Sequence, residues 1–387
     1  MEYIKLKRVA KYPTGKLNSN AACENGLYPF FTCSHDIFRI NSYAYDGEYV
    51  LLGGNNATGD FPIFYYNGKF EAYQRTYLIQ PLDKEKHSTR FLYYAIGEKL
   101  ALMQKNASGT ATKFLTKPII DSITIPHFPI NIQKTIASIL SAYDNLIENN
   151  NRRIRLLEQM AENLYKEWFV RFRFPGHEKA EFENGMPKGW QIVKLGDFIS
   201  FERGVGYGSK DIADGENVLL SMNNLRPYGG FIRDYSRPYS GKFKEFQKVK
   251  KGDLIMSITD MTQDRRIIGY TGIVPPGKDN RIICTHLMKL SSEEYHSYFL
   301  DGMFNYSNLS RVIAERATGT NVLGLTADNL KGVKTLLPPV NLHKLYVNKI
   351  TPIIELIFRL QENNDNLTSQ RDLLLPRLMS GKLEVKC

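Results

Sequence analysis

No apolar run in this 387-residue chain approaches the roughly 18–20 residues needed to span a bilayer. Met1 to Ala10 alternates charged and apolar side chains, which is not the pattern of a signal peptide. A soluble, cytoplasmic protein is expected. Cysteine is scarce. Cys23, Cys33, Cys284 and Cys387 are scattered without any C-x-x-C spacing. Clustered zinc ligands and a disulfide framework are therefore not expected, and reduced free thiols are.

Signatures of catalysis are missing too. No G-x-x-x-x-G-K-[ST] sequence occurs, and Gly68-Lys69 and Gly241-Lys242 each run into Phe. Leu337-Pro338-Pro339-Val340 lacks the polar first residue and aromatic last residue of an amino-methyltransferase loop. Gly204-Val205-Gly206-Tyr207-Gly208 is glycine-rich but is not set between a parallel strand and a helix, so it reads as a flexible loop. The seven histidines form neither H-E-x-x-H nor a ligand cluster. The chain is expected to hold no catalytic centre, metal or cofactor of its own.

Two things are present in excess. The first is positive charge: +11, from 51 Lys and Arg against 40 Asp and Glu. Lys and Arg displace condensed counterions from phosphates, so a nucleic-acid partner is expected. The second is internal repetition. Ala107-Ser108-Gly109-Thr110 with Leu115-Thr116 returns 210 residues later as Ala317-Thr318-Gly319-Thr320 with Leu325-Thr326. Pro129-Ile130-Asn131-Ile132 returns at the same offset as Pro339-Val340-Asn341-Leu342. Gly47 to Leu52 matches Gly252 to Ser257, each reading as a turn glycine feeding a buried strand, and Ile4-Lys5-Leu6 echoes Ile192 to Leu195. The chain is thus two copies of one unit, each a β-rich globular region followed by a long helical segment.

The globular parts carry strand signals. Phe61 to Gln80 predicts strands around a turn at Asn67-Gly68, and Arg266 to Leu290 predicts strands split by Pro275-Pro276-Gly277. Amphipathic helices are expected over Thr89 to Gln104 and Glu294 to Arg316. The long segments differ in kind. Ile136, Ile139, Tyr143, Leu146, Asn150, Leu157, Met160 and Leu164 form a coiled-coil seam, with Asn131 as N-cap and an end near Phe169. The second seam is Ile350, Ile353, Ile357, Leu360, Asn364, Leu367 and Leu374. There Pro352 starts a fresh helix capped by Thr351 or marks a kink, and Pro376 ends the pattern. The two seams are expected to pair antiparallel, with Asn150 and Asn364 meeting near the centre. A solvated polar stretch is the alternative. Phe174 to Gly189 reads as a turn-rich linker leading into Trp190.

The predicted fold class is α+β: two β-rich domains in tandem pseudo-repeat, separated by two long helices forming an antiparallel coiled coil. The boundaries are 1–130 for the first domain, 131–180 for the central helix and linker, 181–341 for the second domain, and 342–387 for the C-terminal helix.

Arg and Gln make bidentate contacts to guanine and adenine edges, and lysines suit phosphates. Candidate DNA contacts are therefore Gln74, Arg75 and Lys113 in the first copy. In the second they are Asn223, Asn224, Arg226, Lys242, Lys244, Gln263, Arg265 and Arg266, Lys242 to Lys251 holding five lysines.

Ser108-Gly109-Thr110 through Ile125-Pro126, Gln133, Ile136-Ala137, Leu140 and Asp144, together with the tail Leu375-Pro376-Arg377-Leu378-Met379-Ser380-Gly381-Lys382-Leu383, resembles the specificity subunits of type I restriction–modification systems. The two-copy layout is also that family's. Phe128, Ile132, Leu342 and His343 depart from its usual Pro-Pro and Glu-Gln helix starts. The resemblance implies that each domain is a target-recognition domain reading one half of a bipartite double-stranded DNA target. The helices would set the spacer and dock two modification subunits. S-adenosylmethionine, ATP and Mg would belong to those and to restriction–translocase subunits. Two alternatives stand beside it: a non-specific nucleic-acid-binding coiled-coil protein, and a self-contained methyltransferase or nuclease with degenerate motifs.

Overall fold

The computed structural model describes residues 2–385 apart from 57–58, 107–113, 234, 236, 278–279 and 320–321. Cys387 and all of Ala107 to Thr110, the opening of the first repeat, lie outside them. The chain forms two compact units. Unit 1 is Met1–Asn149 with Asn364–Cys387, and unit 2 is Asn150–Asn363. Both cuts fall inside the long helices, not at the linker.

In unit 1, β1 (Tyr3–Lys5), β2 (Ala10–Lys11), β3 (Tyr28–Phe31), β4 (Phe38–Ile40), β5 (Tyr45–Gly53), β6 (Ile63–Ala72) and β7 (Thr76–Pro81) precede α1 (Thr89–Asn106), α2 (Lys117–Ser122) and β8 (Thr124–Pro126). A six-stranded sheet runs β2-β7-β5-β6-β3-β4, and β1 pairs with β8. Helix α3 (Ile130–Tyr165) then begins. The turn expected at Asn67-Gly68 is absent: β6 runs straight through it, with Gly68 opposite Gly47. Both glycines hold positive φ (143° and 123°), so the sheet twists there without crowding Cβ atoms and the strand need not reverse. Phe70, Tyr45, Tyr49 and Tyr66 pack around this point.

Unit 2 opens with the rest of α3 and one wide helical turn over Lys166–Val170. The linker folds as a small hairpin of β9 (Phe182–Glu183) and β10 (Met186–Pro187), and buried Trp190 stacks near Phe169, Phe172 and Phe174. Then follow β11 (Gln191–Lys194), β12 (Ser200–Arg203), β13 (Asn217–Leu220), β14 (Arg237–Tyr239), β15 (Lys248–Val249), β16 (Leu254–Ser257), β17 (Thr259–Asp260), β18 (Thr271–Ile273), β19 (Arg281–Ile283) and β20 (Leu287–Ser291). The unit closes with α4 (Ser297–Asn305), α5 (Leu309–Ala314), β21 (Leu323–Gly324), α6 (Ala327–Lys331), β22 (Lys334–Leu337) and α7 (Val340–Met379). The single helix expected over Glu294 to Arg316 is thus two, interrupted at Tyr306 to Asn308. Two four-stranded sheets, β12-β20-β16-β18 and β14-β13-β19-β15, stand where unit 1 has one. Pro275 and Pro276 interrupt the chain between β18 and β19, because a proline has no N–H to give a ladder.

Each long helix lends one half to each unit. Within unit 1, Ile136, Ala137 and Leu140 of α3 share a core with Leu378 and Met379 of α7. Within unit 2, Ile154, Ala161 and Tyr165 share one with Tyr346, Ile350, Ile353 and Ile357. In both, the start of one helix meets the end of the other, so the halves pair antiparallel. The seam differs from the predicted one. Leu146 (51% exposed) and Met160 (56%) lie outside it, while Ala137, Leu140, Ile154 and Ala161 are buried. The helices face their globular domains as well as each other, which widens the buried stripe beyond a two-position seam. Asn150 is buried and Asn364 half-buried.

Helix α3 starts at Ile130, with Gln133 N–H donating to Pro129 O, so Asn131 is not the cap. Its 36 residues span about 54 Å. Helix α7 is continuous through Pro352, where Thr351 Oγ1 donates to Val347 O (2.7 Å), so no fresh helix begins there. It also passes Pro376 and ends at Met379, with Gly381 in the left-handed region beyond.

Candidate nucleic-acid interface

The repeat is most exact in its backbone hydrogen bonds. In unit 1 the β6–β7 turn carries Gln74 and Arg75. Gly15 N–H donates to Thr76 O (3.0 Å), Gln74 N–H to Leu17 O (2.9 Å), Gly54 N–H to Arg75 O (2.8 Å) and Leu115 N–H to Gly54 O (2.9 Å). In unit 2 Gly204 donates to Leu287 O (3.0 Å), Thr285 to Val205 O (2.7 Å), Ile258 to His286 O (3.0 Å) and Leu325 to Ile258 O (2.8 Å). The two turns are the same element stitched the same way. A Cβ on Gly15 would overlap Ala72 O, and one on Gly204 would overlap Cys284 O, so both glycines allow close backbone approach. The glycine-rich stretch at Gly204 is thereby a packing device rather than a phosphate cradle.

Composition alone paired Gln74-Arg75 with other loops and missed its counterpart, Thr285-His286. Carrying the repeat register through Tyr73 to Cys284 would have found it.

The surroundings of the two turns differ. Gln74 and Arg75 are exposed, and Gln74 Nε2 donates to Asn18 Oδ1 (2.9 Å). Loops bearing Lys16 and His35 flank them. Thr285 and His286 are only half-exposed. Unit 2 instead raises longer loops. Asp260 (2% exposed) organises one: Oδ1 accepts from Thr262 N–H and Oγ1 (both 2.8 Å), and Oδ2 accepts from Ile267 N–H (3.1 Å). This presents Gln263, Arg265 and Arg266, the last paired with Asp264 at 2.9 Å. A second loop, Met222 to Phe231, adjoins it through Tyr228 N–H to Arg266 O (2.7 Å) and Thr259 Oγ1 to Met222 Sδ (2.8 Å).

The predicted residues sort accordingly. Asn223, Lys242, Lys244, Gln263 and Arg266 are exposed and Arg265 half-exposed. Lys113 lies outside the described residues. Asn224 is corrected: it is buried, accepts from Ser221 N–H (2.9 Å) and donates to Ile232 O (3.1 Å) and Tyr235 O, so its amide is spent holding the loop. Arg226 is corrected likewise. Its guanidinium grips both oxygens of Glu158 on α3, at 2.6 and 3.4 Å, which commits two of its N–H donors to an internal partner. Of the five lysines, Lys248 pairs with Glu245 (3.0 Å) and Lys251 with Glu355 (2.6 Å). No helix among the described residues is long and apolar enough to cross a membrane, and they hold no metal-ligand group of three or more His, Cys, Asp or Glu.

Two copies of one loop-bearing β unit, each joined to half of the same pair of antiparallel helices, define a tandem-repeat architecture. Residues 1–159 match the family described as type I restriction modification DNA specificity domain. The chain is 33% identical over 181 residues to the type I restriction enzyme EcoDI specificity subunit of Escherichia coli, covering 47% of this chain and 39% of that one. It is 24% identical to the putative type I restriction enzyme MjaX specificity subunit of Methanocaldococcus jannaschii, over 100% of this chain and 83% of that one. Its fold is similar to the crystal structure of the type I restriction–modification S subunit from M. genitalium. The TM-score is 0.62 at 14% identity, covering 100% of this chain and 96% of that one. Residues 1–159 thus carry the type I specificity domain, and the chain as a whole is similar to specificity subunits of type I restriction–modification systems.

Proposed function

We propose that unit 1 and unit 2 each read one half of a bipartite double-stranded DNA target, while α3 and α7 fix the unspecified gap. The observation that carries this reading is the twice-built turn: the same four backbone hydrogen bonds support it in each copy, while the side chains it and its flanking loops present differ. A shared scaffold with unlike loops suits two half-sites of unlike sequence. Gln74 and Arg75 are the proposed base-reading pair of unit 1. Asn223, Gln263, Arg265 and Arg266 serve unit 2, and Lys113, Lys242 and Lys244 contact phosphates.

The chain itself is proposed to be non-catalytic. Two modification subunits that bind S-adenosylmethionine would dock on the helices, and restriction–translocase subunits would supply the ATP- and Mg-dependent steps. Exposed Leu146 and Leu373 in unit 1, and Leu156 and Met160 in unit 2, are apolar side chains such a contact would cover.

Selection of the full chain from a randomised duplex library tests the reading. A motif in two short halves with a fixed gap is expected, and Arg75→Ala should relax one half only. Tight binding without any motif would overturn it in favour of a non-specific binder.

A further inference from the structure

Four described non-glycine residues hold positive φ: Phe172, Asn184, Tyr228 and Arg265. Two of them, Tyr228 (66°) and Arg265 (53°), occupy the adjoining loops of unit 2. For a residue with a Cβ this conformation is strained, least for Asn or Asp and more for a bulky ring. Gly229 and Gly230 follow Tyr228 and are also left-handed (104° and 101°), so the turn uses glycine for its other two such positions.

The ring does little inside the protein to offset that strain. Tyr228 is 62% exposed, and among the described residues its hydroxyl makes no hydrogen bond. Its one ring neighbour among the described residues is Tyr270, edge-on at 5.8 Å. Yet its backbone is fastened on every side. Arg226 N–H donates to Gly230 O (2.9 Å), Gly230 N–H to Thr271 O (2.8 Å), and Tyr228 N–H to Arg266 O (2.7 Å). The Arg226–Glu158 pair ties the same loop to α3. An exposed aromatic ring carried on a firmly fastened backbone, whose Tyr228 N–H is bonded to Arg266 O, loses less entropy on binding a flat partner than one on a loose loop.

We propose that Tyr228 stacks on a nucleobase of the DNA half-site read by unit 2, as a wedge or platform, with Arg265 and Arg266 engaging the flanking phosphates or base edges. This rests on the DNA-reading proposal above. Every base offers a π-face and duplex steps can be partly unstacked by inserted side chains, so an aromatic ring at a loop tip is chemically suited to that role. The Arg226–Glu158 pair and the two glycines then act as positioning elements for the ring.

The test uses the full chain and three proteins: wild type, Tyr228→Gly and Tyr228→Phe. Library selection defines the wild-type motif, and affinity for that duplex is then measured for each. Tyr228→Gly should bind about 5- to 150-fold more weakly, the range that base–aromatic stacking gives. It should change preference only in unit 2's half-site, with a thermal midpoint at or above wild type because glycine relieves the left-handed backbone. Tyr228→Phe should keep wild-type affinity. Wild-type affinity and motif in Tyr228→Gly would overturn the proposal while leaving DNA reading intact. An equal loss in Tyr228→Phe would overturn stacking in favour of the hydroxyl. A wild-type chain that selects no motif would overturn both readings.

Discussion

Unit 1 and unit 2 meet the same structural demands with different side chains. In unit 1, Asp144 of α3 takes Arg371 of α7 at 2.7 Å and Tyr94 of α1 at 2.5 Å. The repeat places Ile354 and Ala161 at the corresponding positions of unit 2, Ala161 in that unit's apolar core and Ile354 half-buried against it. Tyr94 itself corresponds to Gly302 of α4. There Tyr165, from the long helix, fills the space instead, and a Cβ on Gly302 would come within 2.5 Å of its ring. Gln133 in unit 1 accepts from Ser88 N–H (3.0 Å) and donates to Phe128 O (2.8 Å). Its counterpart His343 accepts from His296 N–H (3.0 Å) through Nε2. The repeat thus keeps backbone hydrogen bonds and filled volume, and lets the groups that supply them change sides or chemistry.

Breaking the polar joint of unit 1 should have the largest effect. Arg371→Ala leaves Asp144 half-buried with only Tyr94, and should cost about 2–3 kcal/mol in denaturant unfolding of the full chain. Adding Asp144→Ile copies unit 2 and should recover much of that loss. No recovery would mean that the two joints are not interchangeable. Gly302→Ala strikes the matching point in unit 2 and should cost about 1–3 kcal/mol by overpacking Tyr165, whose ring is wedged among Phe169, Phe299 and Tyr346.

Acid should separate the two helix starts. Burial, then the His296 ring and the Lys344 charge, push the His343 imidazole down to about 4. Tyr295 and Phe299 pack against its ring. Its folded form is neutral, while the unfolded chain takes up a proton below about 6.5. Stability is therefore full above that pH and falls as pH drops toward 4. The loss should be about 1 kcal/mol at pH 5, allowing for solvent screening. His343→Gln, which installs unit 1's residue, should shrink that slope, leaving the part due to His296 and His87, whose imidazoles burial also pushes down. An unchanged pH profile would refute the assignment. The smallest effect is expected at Lys244→Ala, which should lower the salt slope of DNA binding by about one and leave the selected motif unchanged.

Much of this was legible in the sequence. Pro129 and Pro339 do sit at the starts of equivalent helices, and Leu115 and Leu325 are equivalent buried residues making the same backbone bond. Thr89 to Gln104 is helical as its amphipathic pattern predicts. The misreadings share a cause. Asn67-Gly68 has turn chemistry, but a glycine on the neighbouring strand lets the chain run on. Pro352 and Pro376 are helix breakers by local preference, yet packing on both sides of each residue keeps α7 helical. Asn224 and Arg226 have base-reading side chains, but Ile232 O, Tyr235 O and Glu158 already occupy them.

The sequence by itself determined the duplication, the α+β class, the two long helices and the basic charge, because periodicity and repeat spacing are properties of neighbouring residues. Tertiary structure alone decided which polar side chains remain available. It committed Arg226 and Asn224 to internal partners and brought Thr285-His286 into register with Gln74-Arg75. It also held Tyr228 outward in a conformation that no pattern of residues foretells. Availability depends on what a side chain meets across distances of up to 227 residues, as Asp144 and Arg371 do, and local sequence does not encode that meeting.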